Sequence, residues 1–318
     1  MNNFYITTPI YYVNDKPHIG HAYTTIACDI LARFHKMLGE EVYFLTGTDE
    51  HGQKVQKAAI KASLNPNEFV DKMSINFEKL IKFLGCDIDD FIRTTETRHK
   101  KATQYLWNKL KNNNQIYLSD YEGWYSVRDE AFYTESELVK NGDEFLAPNG
   151  SPVEWVKEKS YFFKLSKWQD KLLKYYQENP ESISPKSRYN EVVSFIESGL
   201  RDLSISRTTF TWGVPVPDDN KHVMYVWIDA LCNYLTSIGY PDIKNKNFEK
   251  FWPAIHVVGK DILRFHAVYW PAFLMAAELD PPKKIFAHGW WTNEGKKISK
   301  SIGNVIDPYE IINKYGLD

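Results

Sequence analysis

The sequence predicts an α/β protein built on a doubly wound parallel sheet, and three observations predict it. Its first fifty residues alternate strand, helix, strand, loop and helix. The same alternation returns between residues 255 and 289. Every expected strand in both stretches ends in a polar or glycine-rich cluster. A crossover helix between consecutive strands is the grammar of a parallel sheet, whose ligands gather beyond the carboxyl ends of the strands.

Phe4-Tyr5-Ile6-Thr7-Thr8 is short, apolar and β-branched, and Pro9 stops it, so it reads as a strand. Ala22, Ile26, Ile30 and Phe34 then recur at spacing four, flanked by Ala27 and Leu31, which predicts a helix with one apolar stripe ended by Gly39. Val42 to Thr46 reads as a second strand, and Gly47-Thr48-Asp49-Glu50-His51-Gly52 as the polar loop after it. Near the other end, Ile255 to Val258 is a strand closed by Gly259-Lys260-Asp261. A helix is expected from Ile262 to Met275, and Lys284 to Ala287 is a strand closed by His288-Gly289. Residues 118–222 differ: aromatics, turns and mixed charge predict an α/β insertion splitting one sheet into halves.

Composition bounds the function. The 318 residues are 43% hydrophobic and 25% charged, enough apolar surface for packed cores. Lys+Arg 39 against Asp+Glu 41 leaves a net charge of −2, so an anionic partner must be met by a local patch. Cys28, Cys86 and Cys232 form no CxxC pair and no disulfide framework, which points to a reducing compartment. The amino terminus lacks a basic n-region, and the longest apolar run, Ala267 to Ala277, is too short to span a bilayer and contains Pro271. The expectation is a soluble cytoplasmic protein with no membrane partner.

Two motifs carry chemistry. Pro17-His18-Ile19-Gly20-His21 stands where the first helix begins. A helix amino terminus presents N–H groups and a positive dipole end to phosphate, and two histidines there can donate to phosphoryl oxygens. Gly20, without a Cβ, lets a base or ribose approach the backbone. Lys297-Ile298-Ser299-Lys300-Ser301 supplies two ammonium groups and two hydroxyls in a stretch with no apolar stripe, suited to a triphosphate or departing pyrophosphate. Taken alone, the first pattern is equally that of a structural histidine pair, and the second that of a solvated basic loop.

Together, in this order and at this separation, they resemble the HIGH and KMSKS signatures of class I aminoacyl-tRNA synthetases. The segments TTPIYYVNDKPHIGHAYTT, YFLTGTDEHGQK, EGWYSVRDEAFY, SISRTTFTWGVPVP, YVWIDALCNYLT, VVGKDILRFHAVYWPA and KKISKSIGNVIDP resemble the methionyl-tRNA synthetase family over essentially the whole chain. The resemblance implies a Rossmann-like (HUP-type) sheet split by an α/β connective insertion. Its first half is residues 1–117, the zinc-free connective insertion 118–222 and the second half 223–294. Residues 295–318 carry the KISKS loop and the start of a helical stem-contact segment. The family continues into an anticodon-binding domain, so the expectation is the catalytic part alone.

The implied activity is methionine–tRNA ligation, in which L-methionine and ATP with Mg2+ give methionyl-adenylate, and methionine then passes to tRNA(Met). The resemblance assigns His18, His21, Lys297 and Lys300 to catalysis. It assigns Gly20, Gly259, Asp261, Ser299 and Ser301 to ATP. To methionine it assigns Ile10, Tyr12, Asp49, Trp227, Ala230, Leu231, Tyr234, Ile262 and His266. Asp49 suits the α-ammonium group, and Tyr12 and Trp227 suit a polarisable thioether. Where many relatives carry zinc-binding CxxC knuckles, this chain has Ser126 and Asp129, and residues 118–222 contain no cysteine. No resident metal is expected.

Overall fold

A computed structural model describes residues 2–14, 16–128, 131–133, 135–142, 144–289, 292–293, 296–297 and 306–317. Ser299, Lys300 and Ser301 of the expected KISKS site, and Asp129 of the expected zinc-free turn, lie outside them.

The main sheet is parallel. Strand β1 (Asn3–Thr7) pairs with β3 (Glu41–Asp49) in register from Asn3 opposite Glu41 to Thr7 opposite Leu45. Beyond the break at Pro9, β2 (Tyr11–Tyr12) resumes that pairing opposite Thr48 and Asp49. Helix α1 (Ile19–Met37) makes the crossover between β2 and β3. Helices α2 (Gln53–Lys61) and α3 (Pro66–Phe83) follow β3, which on its far side pairs with β4 (Asp90–Arg93), and α4 (Thr97–Asn112) comes next. On the other side of β1 lies β8 (Ile255–Gly259), with Ile6 opposite Ile255 and Thr7 opposite His256, and beyond it β9 (Lys284–His288). The two halves of the sequence therefore meet at the β1–β8 seam. Chain direction from β1 runs one way through α1 to β3 while β8 lies on the opposite side, which opens a crevice at the carboxyl ends of both strands.

Two expectations are corrected. The GTDEHG segment is not all loop: β3 continues through Gly47, Thr48 and Asp49 because β2 and β4 offer it partners on both edges. Its geometry depends on Gly47, where a Cβ would lie 2.0 Å from the Ile92 carbonyl oxygen. Replacing Gly47 with alanine forces one backbone off another, and a loss of about 2–3 kcal/mol in urea-unfolding free energy is expected; an unchanged midpoint would mean the β3–β4 pairing is looser than described. The second correction concerns 262–275, which is not one α-helix. It begins with a 3₁₀ turn (Lys260–Ile262), passes through a π-helical turn (Phe265–Tyr269) and ends as α9 (Trp270–Ala276). Pro271 has no N–H to bond the Ala267 carbonyl, so the regular ladder cannot run through. That carbonyl instead accepts from the Tyr176 hydroxyl at 2.5 Å.

Helix α1 is where the periodicity placed it, but its apolar stripe faces outward. Ile30 is 60% exposed and Phe34 53%, while Cys28 and Ala32 pack on Phe4, Ile6, Phe44 and Val257 of the sheet and Ala22 packs on Leu80 and Leu84. Small residues there let the helix lie close on β1 and β3. Asp29 is not stranded by burial, because Arg33 Nε donates to it at 2.6 Å and the Asp87 N–H at 2.8 Å.

Between residues 116 and 224 the chain builds antiparallel sheets around a long pair, β5 (Ile116–Ser126) and β6 (Glu154–Phe163). One strand within this span, β7 (Ile183–Ser184), pairs with β9 and becomes the edge of the main parallel sheet. Helices α5 (Gln169–Glu178) and α6 (Lys186–Glu197) flank it, and their Leu172, Tyr176, Val192 and Ile196 join the same apolar cluster as Tyr5, Leu45 and Val258. No helix among the described residues is long and apolar enough to cross a membrane.

Candidate active site

The first element of the site is the start of α1. His18 is the N-cap residue, in extended conformation, and its Nδ1 accepts from the Gly20 N–H at 3.1 Å. His21 returns the favour: its Nδ1 accepts from the His18 N–H at 3.0 Å, closing a capping box made of two imidazoles. A nitrogen that accepts holds no proton, so each ring carries its proton on Nε2. The rings lie 3.9 Å apart, and His21 is braced edge-on by Tyr11 and Phe77. Gly20 serves this arrangement as well as any ligand, since a Cβ would meet His18 Cε1 at 3.0 Å. The dipole end is partly occupied by the chain itself, because the Ile19 N–H bonds the Ile306 carbonyl at 3.1 Å.

That contact brings the region after the KISKS segment onto α1. Helix α10 (Pro308–Tyr315) rests Tyr309 on Phe83 with ring centroids 4.6 Å apart. Upstream, the backbone of Lys296–Lys297 pairs with Thr292–Asn293 in a short hairpin.

The second element is the end of β8. Asp261 folds back over Gly259 so closely that a Cβ on that glycine would lie 2.7 Å from Asp261 Oδ1 and 3.7 Å from His288 Cε1. His288, the last residue of β9, reaches α1 through a 3.0 Å contact between its Nε2 and Thr24 Oγ1. Gly259, Asp261, His288 and the first turns of α1 therefore border the crevice at the β1–β8 seam.

The third element is an aromatic cluster that packs on the same apolar core as Tyr5 and Val258. Helices α7 (Val226–Leu231) and α8 (Asn233–Thr236) carry Trp227, Ala230, Leu231 and Tyr234. Trp227 stacks on Phe265 at 3.7 Å and meets the His266 ring edge-on. His266 Nδ1–H donates to the Ile262 carbonyl at 3.0 Å, which leaves Nε2 as the acceptor for the Tyr234 hydroxyl at 2.8 Å. Burial pushes His266 down to about 4, so the ring is neutral at pH 7. Burial likewise pushes the Tyr234 phenol well up, which keeps it a donor. Ile10, Tyr12, Trp227 and Ile262 are half-buried against one apolar cluster that includes Leu231 and Tyr234. Ala230 is buried on α7. Asp49, buried at the last position of β3, lies in register with Tyr12. The Tyr12 hydroxyl donates to the His51 carbonyl at 2.9 Å, and Lys54 Nζ lies 5.0 Å above its ring.

A family model described as tRNA synthetases class I (M) matches residues 4–144 and 145–318.

The chain belongs to the class I tRNA synthetase family.

Curated relatives in this family include a methionine–tRNA ligase of Rickettsia bellii, 65% identical over 318 residues, an alignment covering 100% of this chain and 62% of that protein. One of Mesorhizobium japonicum is 56% identical over 316 residues, covering 99% and 61%. Among solved structures, the chain superimposes on Mycobacterium tuberculosis methionyl-tRNA synthetase in complex with methionyl-adenylate. The TM-score is 0.97 at 50% identity, over 100% of this chain and 63% of that one. The apo form of the same enzyme gives a TM-score of 0.85 at 45% identity, over 100% and 60%. The chain thus spans about three fifths of the length of the relatives it matches, and its Rossmann-like class is that of this synthetase family.

Direct contacts connect most of the residues singled out from the sequence. His18, Gly20 and His21 form one cap. Gly259 and Asp261 adjoin each other beside β9. Tyr12 and Asp49 pair across β2–β3, while Trp227, Tyr234, Ile262 and His266 form one contact chain. Four residues that sequence reasoning passed over also stand here. Phe265 stacks on Trp227, His288 joins β9 to α1, and His51 and Asp229 bond each other at 2.7 Å. Phe265 and His288 neighbour chosen residues, and His51 and Asp229 sit inside the GTDEHG and WIDAL segments. No local periodicity separates them from ordinary core or loop residues.

Proposed function

We propose that this chain is the catalytic part of a methionine–tRNA ligase. It takes L-methionine and ATP to methionyl-adenylate and pyrophosphate, then passes methionine to the terminal ribose of tRNA(Met). The observation that carries this reading is a pair of proton-bearing Nε2 atoms at the start of α1 together with a neutral Tyr234–His266 pair, both on elements that pack around one parallel sheet. The names of the relatives point the same way.

In this reading the methionine carboxylate attacks the α-phosphorus of ATP, which enters as its Mg2+ complex. No covalent enzyme intermediate is required. The chain's work is to hold the two reactants in line and to stabilise charge on phosphoryl oxygens. His18 and His21 donate through Nε2, with Lys297 and Lys300 as the opposing cations. Gly20, Gly259, Asp261, Ser299 and Ser301 hold the nucleotide. Asp49 takes the α-ammonium group. Ile10, Tyr12, Trp227, Ala230, Leu231 and Ile262 surround the side chain, and the Tyr234 hydroxyl, turned by His266, faces the sulfur. Such a site belongs in the cytoplasm, where tRNA is charged.

Methionine-dependent exchange of pyrophosphate into ATP tests the proposal; exchange driven only by another amino acid would sink it. Within that assay, Lys300→Ala is expected to lower the exchange rate about a hundredfold while methionine binding by calorimetry stays within about twofold. A large loss of methionine affinity would instead move Lys300 to the amino-acid site.

A further inference from the structure

Behind the pocket lies a buried polar cluster to which the reaction above assigns no part. Asp229, in the middle of α7, is fully buried. Its Oδ2 lies 2.7 Å from His51 Nδ1 and its Oδ1 lies 2.8 Å from His99 Nε2, and both rings are buried as well. A carboxylate only accepts, so each of these nitrogens carries a proton. Burial by itself would raise the Asp229 carboxyl, but the attraction and hydrogen bonds of His51 and His99 outweigh it and hold the group ionised below the usual carboxylate range. Thr103 and Thr236 stand around His99, with hydroxyls 3.2 Å from Nε2 and 3.3 Å from Nδ1.

Position gives the cluster its meaning. His51 follows Asp49 by two residues, and its carbonyl holds the Tyr12 hydroxyl. Asp229 is two residues from Trp227 and one from Ala230 on the same short helix. His99 lies in the first turn of α4 (Thr97–Asn112), and Thr236 belongs to α8, which also carries Tyr234. On the other side of the same loop, Glu50 is held by Arg93 Nε at 2.7 Å, by the Thr48 hydroxyl at 2.8 Å and by Thr95. The loop is thus pinned on both sides, at Glu50 and at His51. The segment bearing Asp49 and the helix bearing Trp227 come from opposite halves of the chain, and the Asp229 carboxylate bonds the first to the second directly. A buried charge is costly unless fully bonded, and a hydrocarbon core would hold two elements together without that cost. What the polar clasp adds is a defined distance between them.

We propose that His51, Asp229 and His99 are positioning residues that set the spacing between the ammonium-binding and side-chain-binding walls of the methionine site. The inference rests on the methionine reading above. Its test compares paired substitutions. Asparagine places an amide nitrogen where His51 Nδ1 stands, and glutamine places one where His99 Nε2 stands. His51→Asn and His99→Gln therefore keep a donor to Asp229, while His51→Ala and His99→Leu remove it.

Methionine affinity is measured by calorimetry, and the KM for ATP by pyrophosphate exchange. His51→Ala and His99→Leu are expected to weaken methionine binding about tenfold or more, since small misplacements of binding groups are costly. The donor-keeping variants should stay within about threefold, and the KM for ATP should stay near its original value in all four. A merely structural role would lower the melting temperature and the active fraction without this split. The clasp is overturned if the paired variants bind methionine alike, or if KM for ATP rises in step with that for methionine. Should one pair fail to fold, the other pair decides. No methionine binding by the unaltered protein would overturn the methionine reading and the clasp together.

Discussion

His18→Asn is expected to leave the protein as stable as before and to lower the rate of adenylate formation by about 10²–10³. The two effects separate because the proposed reaction gives His18 a second task at the nitrogen that does not cap α1. Nδ1 caps α1 by accepting the Gly20 N–H, and asparagine, among the best N-cap residues, does the same through its side-chain oxygen. Nε2–H faces away from the cap, and asparagine has nothing at that position. Removing one preorganised donor to developing charge costs about 2.7–4 kcal/mol of transition-state stabilisation. His21→Asn should behave alike, since its Nδ1 only accepts the His18 N–H. Urea unfolding and single-turnover pyrophosphate exchange read the two quantities independently. A variant that unfolds earlier but keeps its rate would make the histidines structural and return the motif to its bland reading.

Acid should weaken the fold through His266, and the sign follows from burial. The ring is held near 4 in the folded protein and titrates near 6.5 once unfolded. Between those values the unfolded chain binds more protons, so stability falls as pH drops. The full contribution is present above about 6.5, and about 3 kcal/mol is lost on descending to about 4. His256 is also buried, 6.0 Å from His266, and is pushed down by burial and by its neighbour, so it adds to the same slope. Methionine binding should weaken over the lower part of that range, because protonated Nε2 can no longer accept from Tyr234. Urea-unfolding free energies from pH 4.5 to 7.5, for the protein and for His266→Gln, isolate this residue. The variant's slope should be shallower by up to about one proton, and an identical slope would mean His266 titrates normally.

Much of the fold was legible because its signals are local. The crossover grammar of β1, α1 and β3 lies within the first fifty residues, and the polar strand-end clusters mark the crevice from sequence alone. The motif at His18 to His21 was legible for the same reason, since a cap is written in four consecutive residues. Helix α1 shows where that reasoning stops. Spacing of Ile26, Ile30 and Phe34 correctly announces a helix, yet the sheet receives Cys28 and Ala32. Periodicity reports that one face is apolar and says nothing about which face the sheet can approach. Strand β7, two residues long inside an aromatic-rich stretch, carried too little pattern to be placed, and only its pairing with β9 reveals it.

By itself, then, the sequence determined the α/β class, the two motifs at His18–His21 and Lys297–Ser301 and the membership of the synthetase family. These rest on residue types at short, ordered spacings. Tertiary structure alone decided which nitrogens of His51, His99 and His266 carry protons, that β3 extends through Asp49, and that Asp229 is the partner of both His51 and His99. The last of these depends on groups as far apart as His51 and Asp229, whose side chains bond at 2.7 Å. A hydrogen bond or a buried charge is fixed by what lies opposite it after folding, and no spacing along the chain records that neighbour.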